Sequence, residues 1–362
     1  MTESVITGLQ ARVRAAVAAG SKLRIRGGGT KDFYGEALAG DVLDTTACEG
    51  IVDYDPTELV ITVGAGTRLA HVERTMRAQG QMLACEPPRF GEEATIGGFV
   101  ATGLSGPRRP YAGAVRDLVL GVRIIDGKGD DLRFGGRVMK NVAGFDVARL
   151  MTGALGTLGV ITEVSLLCMP MPKAETTRLF ACSADEAIRM TNEWAGKPLP
   201  LTATAYHAGR LAVRLSGSPP AVEAAAAKMG GTPLPGNDRG GAFWRSIREQ
   251  TQPFFLAAAA PGQRLWRLSV KPTAPYTDLD GEQLIEWGGA LRWLHPNERT
   301  DPARVREWAK RHGGHATLFR ADDKEAGVFQ ALGNTLHELH RRLKSAFDPA
   351  GVLNPGRMYP DF

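Results

Sequence analysis

The stretch Lys22-Leu-Arg-Ile-Arg-Gly-Gly-Gly-Thr-Lys31 decides the fold. Its first five residues alternate polar and apolar side chains, which is the period of a half-buried strand. The three glycines that follow lack a Cβ, so the backbone can adopt positive φ and turn successive N–H groups toward one anion, such as a phosphate. Arg26 and Lys31 flank this loop and would place charge beside a pyrophosphate. A glycine cluster taken alone could equally be a simple turn.

The neighbouring segments extend this pattern into two βα units. Residues 3–19 carry apolar side chains at the period of an amphipathic helix, and Gly20 ends it. A second strand is predicted over 58–63 and a helix over 69–79, which Gly80 ends. Residues 87–110 are rich in Gly, Pro, Ser, Thr and Arg, and only 94–101 offer core material. We therefore expect a long functional loop there.

Further along, residues 118–125 and 131–134 are predicted to form a hairpin around a glycine turn, and 160–167 form the clearest strand. Pro170 and Pro172 then interrupt regular structure, which predicts a domain boundary. The second half mixes strands such as 211–215 with helices such as 222–229 and 329–346, as expected of an α+β domain.

Other phosphate-binding motifs are excluded by inspection. There is no P-loop, and Gly64-Ala-Gly66-Thr-Arg-Leu69 lacks the last glycine of the dinucleotide fingerprint. The glycines of 153–159 precede a strand rather than a helix. A nicotinamide-type Rossmann site is therefore disfavoured.

Composition sets wider bounds. The 362 residues are 43% hydrophobic and 23% charged with a net charge of +5, which is typical of a two-domain globular chain. Lys and Arg are scattered rather than clustered, which disfavours nucleic-acid binding. Four single cysteines, Cys48, Cys85, Cys168 and Cys182, cannot ligate zinc or an iron–sulfur cluster, and we expect reduced thiols. No signal-peptide pattern or long apolar window is present, so a cytoplasmic location is expected.

Six motifs give the chain a more specific resemblance. They are Arg26-Gly-Gly-Gly-Thr-Lys31, Val63-Gly-Ala-Gly66, Ala94-Thr-Ile-Gly-Gly98 with Ser105-Gly106, Lys140-Asn-Val-Ala-Gly-Phe-Asp146, Gly156-Thr-Leu-Gly-Val-Ile-Thr162, and Phe347-Asp-Pro-Ala-Gly-Val-Leu-Asn-Pro-Gly356. In this order they resemble the signatures of the vanillyl-alcohol-oxidase, or PCMH-type, family of FAD flavoproteins. The resemblance implies an α+β fold with a two-subdomain FAD-binding domain over 1–172, an α+β cap over 173–349, and a tail over 350–362 that returns to the FAD domain.

The resemblance also implies which residues bind FAD. The loop of Arg26, Gly27, Gly28, Gly29, Thr30 and Lys31 would hold the pyrophosphate. The ribityl chain and flavin ring would lie along Thr95, Ile96, Gly97, Gly98, Ser105 and Gly106, while Gly156, Val160 and Ile161 would lie near the ring or the adenosine end. Roles in turns and strand packing are the alternative for Ile96, Gly156 and Val160.

The second half is similar to the E-subunit family of bacterial glycolate oxidases, through residues 241–244, 252–255, 265–270, 286–294 and 313–320. Two departures from related families matter. Thr30 follows the glycines where some flavoproteins carry an attachment histidine, which implies non-covalent FAD. Gly313-Gly-His-Ala316 replaces a Gly-Glu-His-Gly metal motif, so no metal is expected at His315.

Oxidation of a 2-hydroxy acid such as glycolate needs a cation for the carboxylate and a base for the hydroxyl proton. Arg267, Arg292 and Arg320 are candidates for the cation and His315 for the base, although the arginines could instead stack on tryptophans for structural reasons. Two hypotheses stand. Either the chain oxidises glycolate to glyoxylate, or it is a flavin-containing assembly subunit beside a homologous catalytic subunit.

The resemblance names partners as well. It implies an iron–sulfur subunit and a homologous FAD subunit, with the complex in the cytoplasm at the inner face of the cytoplasmic membrane. The second half is rich in aromatic residues: Trp244, Trp266, Trp287, Trp293, Trp308, Phe254 and Phe255. These rings could form either a docking surface for the partners or the core of the cap itself.

Overall fold

The computed structural model describes residues 3–136, 145–236 and 240–362. The helices are α1 (Glu3–Ala19), α2 (Leu69–Ala78), α3 (Ile96–Thr102), α4 (Arg109–Ala112), α5 (Val115–Leu118), α6 (Val147–Met151), α7 (Ala184–Ala195), α8 (Pro219–Met229), α9 (Gly241–Arg248), α10 (Pro253–Ala258), α11 (Pro302–Arg311) and α12 (Asn334–Phe347). The strands are β1 (Leu23–Arg26), β2 (Asp41–Asp44), β3 (Ile51–Asp55), β4 (Val60–Gly64), β5 (Gln81–Met82), β6 (Val119–Ile125), β7 (Asp131–Gly135), β8 (Val160–Leu167), β9 (Met169–Pro170), β10 (Ala174–Ala181), β11 (Leu201–His207), β12 (Arg210–Gly217), β13 (Thr232–Pro233), β14 (Arg264–Ser269), β15 (Gly281–Glu286), β16 (Leu291–Pro296) and β17 (His315–Ala321).

The chain divides into two compact units. Unit 1 comprises Met1–Ser105, Gly113–Met171 and Ala331–Phe362, and unit 2 comprises Gly106–Ala112 and Pro172–Gln330. The sequence-based division at 172 and 349 did not anticipate that 106–112 would group with the second half or that α12 would group with the first. The proposal that the boundaries at 172 and 349 divide the chain by function stays a prediction.

Unit 1 is built on a five-stranded antiparallel sheet in the order β3-β4-β8-β6-β7. The central strand β8 has nearly every side chain buried, because both of its faces are covered. Each large apolar side chain buried in this way contributes about 1.5–3 kcal/mol. Helices α2 and α3 pack into the same core through residues such as Val72 and Phe99. This core supports the segments around the candidate site.

A second layer of unit 1 is formed by the parallel pair β1–β2. The segment after α12 pairs with β1: Leu23 donates to the carbonyl of Val352 at 2.7 Å, and Asn354 donates to the carbonyl of Leu23 at 2.9 Å. Helix α1 covers this layer, with Ile6 and Val13 wholly buried. Strand β1 is thereby held along one edge by a segment more than 300 residues distant in sequence.

A buried ion pair fixes the end of α12. The ammonium of Lys344 donates to Asp348 at 2.7 Å and to the carbonyls of Thr157 and Leu353 at 2.8 and 2.7 Å. Burial lowers the pKa of Lys344, and Asp348 opposes that effect. The Asp348 carboxylate also accepts from the backbone N–H groups of Val352 and Leu353. The pair therefore joins three separate chain segments of unit 1.

Unit 2 is an eight-stranded antiparallel sheet in the order β13-β10-β12-β11-β15-β16-β14-β17. One core cluster joins Trp266 and Trp308, and another set of rings stacks edge to face, with Trp293 at 5.5 Å from Phe255 and 4.9 Å from Phe319. The five tryptophans Trp244, Trp266, Trp287, Trp293 and Trp308, with Phe254 and Phe255, are at most 6% exposed. The interpretation of these rings as a docking surface is wrong, because a partner cannot reach them.

Most strongly periodic elements were predicted within a few residues. The structure confirms the helices at 3–19 and 69–79, the strand at 160–167 and the hairpin over 118–134. The long loop expected over 87–110 is wrong in part, since residues 96–102 and 109–112 are helical. Strands β2 and β3 were not predicted. Residues 140–144 of the fourth flavoprotein motif lie outside the described residues.

The four cysteines are free thiols, three of them buried. Burial raises the pKa of Cys48 to about 11 and that of Cys168 to about 12, so both thiols are protonated at neutral pH. No helix in the described part of the chain has the length and apolar character needed to cross a membrane.

We expect Asp348→Asn to destabilise the protein by about 3 kcal/mol or more, because the Lys344 ammonium would stay buried without its counter-charge. Urea denaturation followed by circular dichroism measures the effect. Glu193→Gln, which breaks the exposed Arg189–Glu193 pair at 2.7 Å, is the control and should change stability by about 0.5 kcal/mol or less. Equal midpoints for the two variants would contradict the prediction.

Candidate functional site

The glycine loop leaves β1 and lies directly against the segment before α3. An idealised Cβ on Gly28 would stand 1.5 Å from the carbonyl oxygen of Glu93, and one on Gly27 would stand 2.4 Å from Oγ1 of Thr95. Of the three glycines, only Gly29 has positive φ, at +71°. The first two glycines are therefore needed for close approach of two chain segments, and the third is needed for the turn.

The loop offers backbone donors to a ligand. Within the described residues, the N–H groups of Gly28, Gly29 and Thr30 make no hydrogen bond to the protein. The carbonyl of Gly29 accepts from the N–H of Asp32 at 3.1 Å, which closes the turn. Successive N–H groups without protein acceptors form a concave anion site. This arrangement fits a phosphate oxygen.

The opposite wall is the start of α3. Thr95 is its N-cap, and its hydroxyl accepts from the N–H of Gly98 at 3.3 Å. Gly97 donates to the carbonyl of Ala65 at 2.7 Å, and an idealised Cβ on Gly97 would stand 2.9 Å from the Cβ of Ala65. The small residues at 97 and 98 thus let α3 pack on the sheet and keep its first turn open.

These walls line an open cleft within unit 1, whose volume including the solvent-filled mouth is about 780 Å³. Residues 25–32 line the cleft together with residues from three other stretches and three single side chains: Thr95, Gly97, Gly98, Ala101, Thr102, Leu155, Gly156, Gly159, Ile161, Asn354, Arg357, Tyr34, Leu38 and Thr45. Gly156 and Ile161 reach the cleft from the loop before β8 and from β8 itself. The structure therefore brings together four of the segments that the sequence motifs singled out.

The two flanking cations differ. The guanidinium of Arg26 lies over Gly29 and donates to Asp32 at 3.0 Å, and Asp32 also accepts from Arg24 at 2.5 Å. Lys31 is buried, and its ammonium donates to the carbonyl of Arg89 at 3.3 Å. Arg26 thus stays beside the loop as expected, whereas the ammonium of Lys31 is held by a neighbouring carbonyl.

Four of the expected FAD-binding residues do not line the cleft. Ile96 and Val160 are wholly buried in two hydrophobic cores of unit 1, so packing explains both. Gly106 belongs to unit 2, where its carbonyl accepts from the indole N–H of Trp287 at 3.1 Å. Ser105 also lies outside the cleft lining, but its hydroxyl oxygen is buried and has no hydrogen-bond partner in the described structure. That unsatisfied hydroxyl is available to a ligand.

The residues present fit a bound dinucleotide. The open N–H groups suit a pyrophosphate, the glycines leave room for close approach, and the Ser105 hydroxyl suits a polar atom of the flavin. No histidine or cysteine is found among the cleft-lining residues that the structure describes.

In unit 2, Arg292 is unsuited to binding substrate. Its side chain is 0% exposed, and its guanidinium donates to the carbonyls of Gly289 and Pro275 at 3.1 Å each and to that of Ala274. Burial lowers its pKa to about 10. Because the guanidinium is occupied by backbone carbonyls, the candidate role of Arg292 in binding a carboxylate is wrong.

Arg267 has a different environment. Its guanidinium lies 5.3 Å from the ring centroid of Trp287 and 6.0 Å from that of Trp293. A second guanidinium, that of Arg109, lies 4.7 Å from the same Trp287 ring. Trp287 adopts positive φ, at +55°, which is uncommon for a bulky residue and marks a constrained position. Arg267, Arg109 and Trp287 form what we call the cation–indole cluster.

His315 begins β17, opposite Ser269 of β14, and Thr317 lies opposite Arg267. Desolvation, with a smaller effect from the charge of Arg267, lowers the pKa of His315 below 6.5. Burial also lowers the pKa of Arg320. No cluster of three or more His, Cys, Asp or Glu side chains that could hold a metal lies in the ranges that the structure describes.

Sequence reasoning missed Arg109, Asn354 and Arg357. Arg109 lies in a Gly-Pro-Arg-Arg-Pro segment that gave no periodic signal. Asn354 belongs to the last motif, Arg357 directly follows it, and both line the cleft. Their contacts with residues 25–36 are long-range, so a local pattern cannot reveal them.

Comparison with known proteins bears on this geometry. Residues 6–135 match the family model described as FAD binding domain, and residues 323–358 match the C-terminal domain of FAD linked oxidases. Glycolate oxidase subunit GlcE of Escherichia coli K12 is 47% identical over 350 residues, which cover 97% of this chain and 96% of that protein. Glycolate oxidase subunit GlcD of Bacillus subtilis is 33% identical over 154 residues, which cover 42% of this chain and 33% of that protein.

A solved structure of alkyldihydroxyacetonephosphate synthase has the same fold, with a TM-score of 0.65 at 15% identity over 96% of this chain and 74% of that one. The FAD-binding family match makes FAD the cofactor of this chain.

We expect Gly28→Ala to weaken FAD binding by about tenfold or more, because a methyl group would push residues 27–30 away from the Glu93 carbonyl. Titration of the apoprotein with FAD, followed by flavin fluorescence, measures the dissociation constant. Gly8→Ala in α1, where a Cβ meets nothing within 4 Å, is the matched control and should bind FAD normally. Unchanged affinity in the Gly28 variant would move the pyrophosphate elsewhere.

Proposed function

Because this chain belongs to the glycolate oxidase subunit GlcE family of FAD-linked oxidases, we propose that it is the FAD-binding subunit of a complex that oxidises glycolate to glyoxylate. The single observation that carries the proposal is the match to a glycolate oxidase subunit along almost the whole of both chains. The shorter match to GlcD supports a second, homologous flavin subunit in the same complex.

In this proposal FAD occupies the unit 1 cleft. The N–H groups of residues 28–30 bind the pyrophosphate, with Arg26 beside them. Thr95, Gly97, Gly98 and the Ser105 hydroxyl lie along the ribityl chain and the ring, and Gly156 and Ile161 complete the wall. We expect the FAD to be non-covalent, because Thr30 follows the glycines where some related flavoproteins carry an attachment histidine.

The chemistry assigned to unit 2 is recognition of the substrate. Arg267 binds the carboxylate of glycolate, and Arg109 adds a second positive charge on the same indole. His315 accepts the hydroxyl proton, and its lowered pKa keeps the imidazole neutral and able to do so at pH 7. Arg320, partly desolvated on the same strand, is a further candidate for the cation. Bound FAD supplies the acceptor for the hydride.

Electrons must then leave the chain. The four cysteines lie apart as free thiols and form no cluster site, so an external iron–sulfur subunit is proposed as the acceptor. Association with the inner face of the cytoplasmic membrane would come only through these partners. The competing proposal keeps FAD in this chain but assigns substrate oxidation to the homologous subunit.

Acid precipitation of the purified protein should release all of its flavin into the supernatant, because no covalent bond holds it. The absorbance of supernatant and pellet at the flavin maximum gives the partition. Yellow colour that stays in the denatured pellet would contradict non-covalent binding.

The complex co-expressed with its two partner subunit types should lose flavin absorbance anaerobically when glycolate is added. We expect Arg267→Lys in this chain to raise the KM for glycolate by about tenfold, because an ammonium cannot replace the bidentate guanidinium. Arg264→Lys is the matched control on the same strand, where the arginine pairs with Asp323 at 2.9 Å near the surface.

The two proposals differ in this experiment. If the complex turns over with normal KM in the Arg267 variant, Arg267 does not bind the carboxylate. If Arg320→Lys leaves the KM unchanged as well, the result supports oxidation in the homologous subunit and the assembly role of this chain. If glycolate bleaches no flavin in the intact complex, glycolate is not the substrate.

A further inference from the structure

The segment Asn354–Phe362, which we call the tail clamp, closes one side of the cleft. The side chain of Asn354 accepts from the N–H of Ile25 at 2.7 Å and donates to the carbonyl of Leu155 at 2.6 Å. It therefore joins β1, which precedes the glycine loop, to the loop before β8. Its backbone adopts positive φ, at +41°, which asparagine tolerates better than most residues.

Arg357 extends the clamp to the residues that directly follow the glycine loop. Its guanidinium donates to the carbonyls of Asp32, at 2.8 Å, and of Tyr34 and Glu36. The N–H of Glu36 donates back to the carbonyl of Arg357 at 3.0 Å. Three carbonyls from a five-residue turn thus converge on one side chain, which fixes the curvature of that turn.

The turn is connected to the phosphate-binding loop by a short chain of contacts. The N–H of Asp32 donates to the carbonyl of Gly29, and the carboxylate of Asp32 accepts from Arg24 and Arg26. Asp32 is therefore held by Arg357 through its carbonyl and by β1 through its side chain. A shift of Asp32 would move Gly29, whose N–H is one of the open donors.

Arg357 is 6% exposed, and burial lowers its pKa to about 10, so it remains a cation at neutral pH. Burying a guanidinium costs free energy that the three carbonyls offset only while the turn keeps this shape. The far end of the clamp is anchored as well. His337 pairs with Asp361 at 2.7 Å, and the Phe362 ring makes inclined contacts with the rings of His337 and His340, at 5.5 and 6.0 Å between centroids.

We propose that Arg357 is a positioning residue for FAD: it sets the turn at 32–36 and thereby holds the N–H groups of 28–30 in the geometry that binds the pyrophosphate. The inference rests on the proposed location of FAD in the unit 1 cleft. It assigns the tail clamp a role in cofactor affinity that is separate from substrate chemistry.

Two variants disturb the clamp from opposite sides. Arg357→Ala removes the guanidinium. Gly35→Ala leaves it in place but puts a Cβ 3.0 Å from the carbonyl oxygen of Arg357, at a residue with φ of +100°. Gly50→Ala is the matched control, because Gly50 has a similar φ of +108° and nothing within 4 Å of its Cβ. Any cost of backbone strain is then common to both glycine variants.

The measurement is titration of each full-length apoprotein with FAD, alongside its urea midpoint. We expect Arg357→Ala and Gly35→Ala to weaken FAD binding by about tenfold or more, and Gly50→Ala to stay within about twofold of the parent. Guanidinium ion at low millimolar concentration should restore affinity to Arg357→Ala, which a general loss of stability would not allow.

Several results would overturn the proposal. One is FAD affinity in Arg357→Ala within about twofold of the parent, and another is an equal loss in Gly35→Ala and Gly50→Ala. If Arg357→Ala does not fold, the two glycine variants decide. Should Gly28→Ala and Arg357→Ala both bind FAD normally, the cleft assignment fails. If only Gly28→Ala loses FAD affinity, the positioning role of Arg357 is refuted and the location of FAD in the cleft stands.

Discussion

The backbone of the glycine loop and the backbone before α3 approach so closely that no side chain fits between them at Gly28. Much of unit 1 serves to hold these two segments there. Strand β1 is fixed by its pairing with β2 and with the segment after α12, while α3 is fixed by its core contacts on the sheet. The width of the cleft is thus set by residues that are apolar, small or paired for structural reasons. The polar donors of the cleft are mostly backbone groups.

Features of unit 1 that depend on residues close in sequence could be predicted, whereas features that depend on residues distant in sequence could not. Helix α1, strand β8 and the glycine loop were predicted because their periodicity and turn residues are local. Strands β2 and β3 lacked a clear alternating pattern; three of the four β2 residues are exposed, and no β3 residue is buried. The roles of Asn354 and Arg357 depend on pairing with residues 25–36, which no local window contains.

Buried cations illustrate the same limit. Arg292, Arg357 and Lys344 each donate to two or more backbone carbonyls, and each has a pKa lowered by burial. In sequence they are indistinguishable from arginines and lysines that bind a carboxylate or phosphate. Only the burial of the cation and the identity of its hydrogen-bond acceptors distinguish a structural arginine or lysine from one that binds a ligand. The choice of Arg292 as a substrate ligand failed for that reason, while Arg267 retained its candidacy through its place beside Trp287.

The electrostatics of unit 2 add a further step to the proposed function. Desolvation and the charge of Arg267 both lower the pKa of His315 and so disfavour its protonated form. A substrate carboxylate bound to Arg267 would offset that positive charge, and an adjacent anion favours the imidazolium. Binding of the carboxylate would therefore raise the proton affinity of His315 when a hydroxyl proton has to be removed. A neutral substrate analogue would leave the proton affinity of His315 low. Recognition of the substrate carboxylate by Arg267 would therefore be coupled to the strength of His315 as a base.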